Sequence, residues 1–256
     1  MPLEHLHSDR DRAQSFGFDA EAYDQFRPGY PGALFDDLLA RNVRTALDVG
    51  CGTGKVAVDL RRRGVQTLGI DPDPRMAAVA RRYGVDVEHG EFESWDDAGR
   101  RFDLITCGHA WHWIDPETGP DTTARLLQPA GRIARFWNYH VVPARLRREF
   151  EAIYAELAPT ATVIGRDPRD AVDAPDPFGT HPAFTTAAPR TYRWQRRMTS
   201  PEWAGLVATF GDHRRLGPER LGRLTSALQE AIERHGGVVT VAGGTYLLCA
   251  QRVRHG

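Results

Sequence analysis

Short apolar runs alternate along the chain with stretches in which apolar residues recur every three or four positions. The runs at Thr45–Val49, Gln66–Ile70, Val85–Glu88, Phe102–Cys107 and Arg132–Trp137 predict five strands. Helical spacing predicts helices over Lys55–Arg63 and Pro74–Tyr83, and Pro74 suits a first helical turn because its missing N–H has no partner there. Strands alternating with helices predict an α/β fold, a parallel sheet covered on both faces. Towards the C-terminus, Tyr192–Met198 and Thr245–Val253 predict two further strands. Between them, Ser200–Thr209 and Pro218–His235 predict helices.

Two segments stand outside this alternation. Phe16 to Pro31 is dense in aromatics and precedes the first strand. Asn138 to Pro189 opens with an amphipathic helical pattern, since Leu146, Phe150, Ile153, Tyr154 and Leu157 share one face, and becomes Pro-rich from Pro159 to Pro189. Long insertions in compact domains usually serve function, and ligands of open α/β sheets bind beyond the carboxyl ends of the strands. Both segments are therefore expected to cover one crevice. The expected layout is a single domain over 1–256: an N-terminal lid (1–40), a ligand-binding core (45–137), an inserted cap (138–189) and C-terminal strands and helices (190–256).

Composition narrows the partners. A chain of 256 residues supports one sizeable core. Its 33 basic and 34 acidic residues balance, which argues against an electrostatic footprint for nucleic acid. Lys55 is the single lysine; Arg61-Arg62-Arg63 ends a predicted helix, where cations favour the negative end of the dipole. Cys51, Cys107 and Cys249 are too scattered for a disulfide framework or a zinc site. A polar N-terminus and the lack of a long apolar run predict a cytoplasmic protein without membrane contact.

The densest chemical signal is Asp48-Val49-Gly50-Cys51-Gly52-Thr53-Gly54 at the end of the first strand, with Asp71-Pro72 ending the second. An acid about 20 residues beyond a glycine-rich turn has the spacing of a ribose ligand. A dinucleotide turn would place glycine at the sixth position from Gly50, where Lys55 stands. A phosphate loop would need Ser or Thr after Gly54-Lys55, and Val56 stands there instead. Asp48 would repel a pyrophosphate but suits an ammonium or a sulfonium.

These residues resemble the first motif of the class I S-adenosylmethionine-dependent methyltransferases. With the Tyr23–Arg27-Pro28–Tyr30-Pro31 segment, Phe102-Asp103-Leu104-Ile105 and His109-Ala110-Trp111-His112-Trp113, they are similar to the group that includes trans-aconitate and small-molecule O-methyltransferases. The resemblance implies a doubly wound, mostly parallel seven-stranded sheet and S-adenosylmethionine as cofactor, with S-adenosylhomocysteine as product. It implies methyl transfer to an oxygen of a small-molecule acceptor. An RNA or protein methyltransferase, or a cofactor-bound protein that does not methylate, remain alternatives on the same fold.

Carried over by position, Asp48, Gly50, Cys51, Gly52 and Gly54 would face the aminoacyl end of the cofactor, and Asp71 with Pro72 the ribose. Met76, Glu91 and Phe92 would border the adenine, Phe92 being larger than the residue usual there, and Cys107 would end the strand beside the site. Tyr23 and Arg27 would reach the methionine carboxylate. His109 and His112 follow the fourth strand and are the candidate general bases, needed when the acceptor carries a proton. Of the two, His109 is favoured because it lies nearer the strand end. Tyr30, Trp111, Trp113 and Trp137 would wall the acceptor. His109, His112 and Asp115 also have the composition of a metal set, but the cofactor motif already accounts for the position of this segment, and no metal is expected.

Overall fold

The computed structural model describes residues 7, 17, 19–165 and 176–253. Phe16 and Phe18 of the aromatic segment and 166–175 of the Pro-rich stretch lie outside the described residues. Two short helices, α1 (Ala20–Phe26) and α2 (Gly32–Leu38), precede the alternating core. The core comprises β1 (Thr45–Val49), α3 (Lys55–Arg62), β2 (Gln66–Asp71), α4 (Pro74–Arg82), β3 (Asp86–His89) and β4 (Phe102–Gly108). A 3₁₀ turn over Trp111–Trp113 and α5 (Gly119–Leu126) lead into β5 (Leu127–Val141). Next come α6 (Ala144–Leu157), β6 (Phe184–Thr186), β7 (Arg190–Thr199), α7 (Ser200–Ala208), α8 (Gly211–Arg214), α9 (Gly217–Arg234) and β8 (Val238–Arg252).

The strands form one sheet in the order β3-β2-β1-β4-β5-β8-β6, with β7 also paired to β8. Strands β1 to β5 run parallel, β8 runs antiparallel to β5, and β6 and β7 run antiparallel to β8. β6 lies along Ala250–Arg252 and β7 along Val238–Leu247, so the two lie end to end as one edge. Among the described residues eight strands therefore fill seven positions, and the expected mostly parallel α/β sheet is present. β5 and β8 each run to 15 residues, well beyond the predicted spans. Their added length passes through Asn138, His140, Gly243 and Gly244, positions without apolar alternation. The glycines are filled from the neighbouring strands: the Trp194 ring lies over Gly243 and the Tyr139 ring over Gly244.

Alternation along the strands builds two cores. Ala46, Leu104, Ala134 and Phe136 face α2 and α3 on one side of the sheet, whereas Leu47, Ile105 and Ile133 join the cluster containing Trp111, Leu126 and Phe178. A third cluster around the buried Trp203 joins α6, α7 and α9 to β7 and β8. Asp73 caps α4 by accepting from the Arg75 N–H, and a capping box between Thr199 and Glu202 starts α7. Because β1, β2 and β4 are parallel neighbours, their carboxyl ends place Gly50, Asp71 and His109 around one crevice.

Candidate active site

The turn after β1 is held open by its glycines. Gly50 has φ 61°, and a Cβ there would lie 2.5 Å from the Ala110 Cβ. Asp71 fastens the turn, its two oxygens accepting from the N–H groups of Gly52 (2.8 Å) and Asp73 (2.8 Å). Burial raises its carboxyl to about 6. Asp48, 1 % exposed, accepts from the Thr106 hydroxyl at 2.7 Å through Oδ1, while its Oδ2 is buried without a partner among the described residues. Burial outweighs the Thr106 bond and pushes Asp48 up to about 7.

These residues border a cavity of about 270 Å³ at the strand ends, joined by an inner recess of about 40 Å³. The larger cavity gathers Tyr23, Arg27, Gly50, Gly52, Asp71, Pro72, Met76, Glu91, Phe92, His109, His112 and Trp113, all anticipated from the sequence. The recess adds Asp48, Cys51 and Tyr30, which places Tyr30 on the Asp48 side of the site and away from the wall expected to hold the acceptor.

Four expected positions lie elsewhere. Gly54, at φ 85°, faces α4, where a Cβ would come within 2.9 Å of the Ala80 Cβ, so it serves helix packing rather than the cavity. Cys107 is fully buried in the core, where burial pushes its thiol far up. Trp111 packs between the rings of Phe92 and Phe178, at centroid distances of 6.2 and 5.1 Å. Trp137 pairs with Tyr246 in the β5–β8 ladder and leans on the same core.

His109, the favoured candidate base, is already engaged. It is held at φ 56°, and its Nε2 accepts the Asn138 backbone N–H at 2.7 Å. That bond occupies the imidazole lone pair and leaves Nδ1 as the N–H donor of the neutral ring. Burial, with Arg27 and His112 adding to it, lowers the ring well below the ordinary histidine range. His109 can donate a hydrogen bond into the site but is not placed to take a proton. His112, on the 3₁₀ turn, lines the larger cavity beside Trp113. Among the described residues no group of three or more His, Cys, Asp or Glu is placed to hold a metal ion.

The cap and the start of α8 contribute walls that carry no local sequence signal. Thr162, Ile164, Phe210, Gly211 and Asp212 line the larger cavity opposite the turn, and Glu93 presents a buried Oε2 without a partner. Burial pushes the Asp212 carboxyl up, but bonds from His213 and Thr162 outweigh it and hold the group below the usual carboxylate range. Asn138 and His140 close the recess, and burial lowers His140 to about 3, so it is neutral. Among the described residues, Arg27 and Lys55 are the arginine and lysine bordering the two spaces. Lys55 is spent on Asp24, donating to its carbonyl at 2.6 Å and pairing with its carboxylate at 3.3 Å. Arg27 bonds to Thr209 at 2.8 Å and stacks on Phe210, 3.7 Å from the ring centroid.

A methyltransferase-domain family matches residues 46–131, the stretch from β1 into β5. An uncharacterized methyltransferase of Mycobacterium tuberculosis is 34 % identical over 207 residues, covering 79 % of each chain. The chain belongs to the class I S-adenosylmethionine-dependent methyltransferases. A structure assigned to a type II methyltransferase from Anaeromyxobacter dehalogenans shares the fold, with a TM-score of 0.69 at 20 % identity, over 90 % of this chain and all of that one. Haemonchus contortus phosphoethanolamine N-methyltransferase 2, solved with phosphomonomethylethanolamine and S-adenosylhomocysteine, aligns with a TM-score of 0.52 at 16 % identity, over 99 % of this chain and 61 % of that one.

The methyltransferase's cofactor is S-adenosylmethionine, and the site fits it. The unpartnered Asp48 oxygen, deep in the recess, meets the requirement of a cationic aminoacyl end. The Gly50–Gly52 turn leaves bare backbone beside it, and Asp71 keeps one acceptor site on each oxygen for hydroxyl donors.

Proposed function

We propose that this methyltransferase methylates a hydroxyl oxygen of a small, uncharged or cationic acceptor, with His112 taking the hydroxyl proton. The observation that carries this reading is the charge of the cavity wall. The side facing the cap combines the Phe210 and Trp113 rings with the carboxylates of Asp212 and Glu93. Arg27, the cation shared with the recess, is suited to the methionine carboxylate by its planar fork. Among the described residues, an anionic acceptor would meet acids without a free cation to offset them, whereas a hydroxyl or an ammonium finds acceptors.

The bound cofactor supplies a methyl group activated by its sulfonium, so the protein's work is alignment and removal of one proton. Phe210 and Trp113 hold the acceptor body, and the His109 Nδ1–H fixes a polar group beside the turn. His112 accepts the proton as the oxygen gains its methyl. His112→Gln is expected to lower turnover by about 10²–10⁴ and to remove the acid limb of the pH–rate profile. His109→Gln should act mainly on KM. A hydroxyl acceptor methylated at full rate by His112→Gln, or a preference for carboxylate acceptors across a panel, would overturn the proposal.

A further inference from the structure

A second cleft of about 450 Å³ shares no residue with the cofactor cavity or its recess. It lies between the end of α2, the start of β5, the break between β6 and β7, and the C-terminal part of β8. β5 meets this cleft at Arg132 and reaches the recess only at Asn138 and His140, so the two sites sit towards opposite ends of one strand.

Among the described residues, three guanidiniums face the cleft, those of Arg41, Arg132 and Arg190, against one carboxylate, Asp37. Asp37 is already engaged, accepting from Arg190 at 2.7 Å and from the Tyr192 hydroxyl at 2.6 Å. The other two cations have neutral partners: Arg132 donates to the Leu38 carbonyl at 2.7 Å, and Arg41 to the Gln251 side-chain oxygen at 3.1 Å. Gln251, which holds Arg41, is the cross-strand neighbour of Arg132, so both cations stand beside one side chain, and Arg132 is part-buried. In a chain of net charge −1, this concentrates uncompensated positive charge around a concave space. Guanidinium forks match the paired oxygens of phosphate and carboxylate groups, and charge-assisted bonds to them are among the strongest available.

We propose that this cleft is a binding site for a small oxyanion carrying two or more negative charges, bridged between Arg41 and Arg132. Such a ligand would replace repulsion between two guanidiniums by attraction to both. It would also join the chain after α2 to the sheet, since Arg41 follows α2 and Arg132 belongs to β5. The proposal is independent of the acceptor reading, because the site needs neither the cofactor nor His112.

The free thiol of Cys249 forms part of the wall and supplies a reporter, while Cys51 and Cys107 are buried. The full chain, saturated with S-adenosylhomocysteine to fill the cofactor cavity, is titrated calorimetrically with pyrophosphate and separately with citrate, against sodium chloride at matched ionic strength. At least one of the two is expected to bind and to slow alkylation of Cys249. Binding of pyrophosphate alone would assign the site to phosphates, and binding of citrate alone to polycarboxylates. Arg41→Gln, at an exposed residue whose partner is Gln251, should weaken binding about tenfold or more with S-adenosylhomocysteine affinity unchanged. Arg132→Gln should do the same, with some loss of stability from the Leu38 contact. Absence of binding by both anions beyond the chloride control would overturn the proposal. So would binding that both variants leave intact.

Discussion

Asp48 shows how one residue can be legible in sequence and yet acquire its chemistry only in the fold. Spacing identifies it as an acid beside a ligand; burial and an unpartnered oxygen then make it an acid that titrates at about 7. The sign of the linkage follows. Below that value the free protein holds Asp48 protonated, whereas a cationic aminoacyl group favours the ionised form. S-adenosylmethionine binding at pH 6 is therefore expected to release a proton, and affinity should fall as pH drops below 7, by up to about tenfold per unit. Calorimetry in two buffers of different ionisation enthalpy measures the proton directly. Asp48→Asn should weaken binding and flatten the dependence; equal affinity for wild type from pH 5.5 to 8 would remove the assignment. Asp71, raised to about 6, adds to the slope only at lower pH. His109 shows the opposite case. Its position after β4 was readable, but the Asn138 amide that occupies its lone pair comes from β5, 29 residues away, and no local pattern announces it. Trp111 and Trp113 differ for a reason of the same kind: on a tight turn, residues two apart face different ways, one to the core and one to the cavity.

At the scale of elements, the alternating core was legible because β1, β2 and β4 are buried along most of their length and each helix packs through one stripe. The elements missed or shortened are those formed by pairing rather than pattern. β6 is three residues long and exists because Ala250–Arg252 offers it a partner. β5 and β8 extend through polar and glycine positions because each supplies the other's hydrogen bonds. The glycine turn tests which contacts are structural. Gly54 and Gly64 have nearly the same backbone, φ 85° and 84°, but a Cβ at Gly54 would press on Ala80 and Val85, while at Gly64 nothing lies within 4 Å. Gly64→Ala should cost about 1–2 kcal/mol, the penalty of a side chain in the left-handed region. Gly54→Ala should cost about 1–3 kcal/mol more, because it also overpacks α3 against α4. Urea denaturation of the two variants gives the comparison; equal losses would show that the α3–α4 contact yields without cost.

Across the whole molecule, the site is closed by parts distant in sequence, which is why its roof was the least readable portion. Helix α1 is tied to the core through Lys55 and Asp24, through Tyr83 and Asp24, and through the Arg82–Glu21 pair. Arg27, just after α1, reaches across to Thr209 at the end of α7. The cap is fixed by a second chain of bonds. Asp212 accepts from the Thr162 N–H at 2.8 Å and pairs with His213 Nδ1 at 2.8 Å, and His213 Nε2 meets the Tyr154 hydroxyl at 2.8 Å. With Nδ1–H directed at the carboxylate, a neutral ring would offer Nε2 as acceptor to the Tyr154 hydroxyl. His213 is fully buried, its ring set edge-on to Tyr154 of the cluster around Trp203. Tyr154→Phe is therefore expected to lower stability by about 1–3 kcal/mol, the cost of leaving a buried acceptor unpaired. Because Thr162 and Ile164 line the cavity away from the Asp48 recess, the same change should leave S-adenosylmethionine affinity within about twofold. Denaturation and cofactor titration of this one variant separate the two halves of the site. A loss of cofactor affinity matching the loss of stability would mean that the cap and the cofactor half fold and bind as one unit.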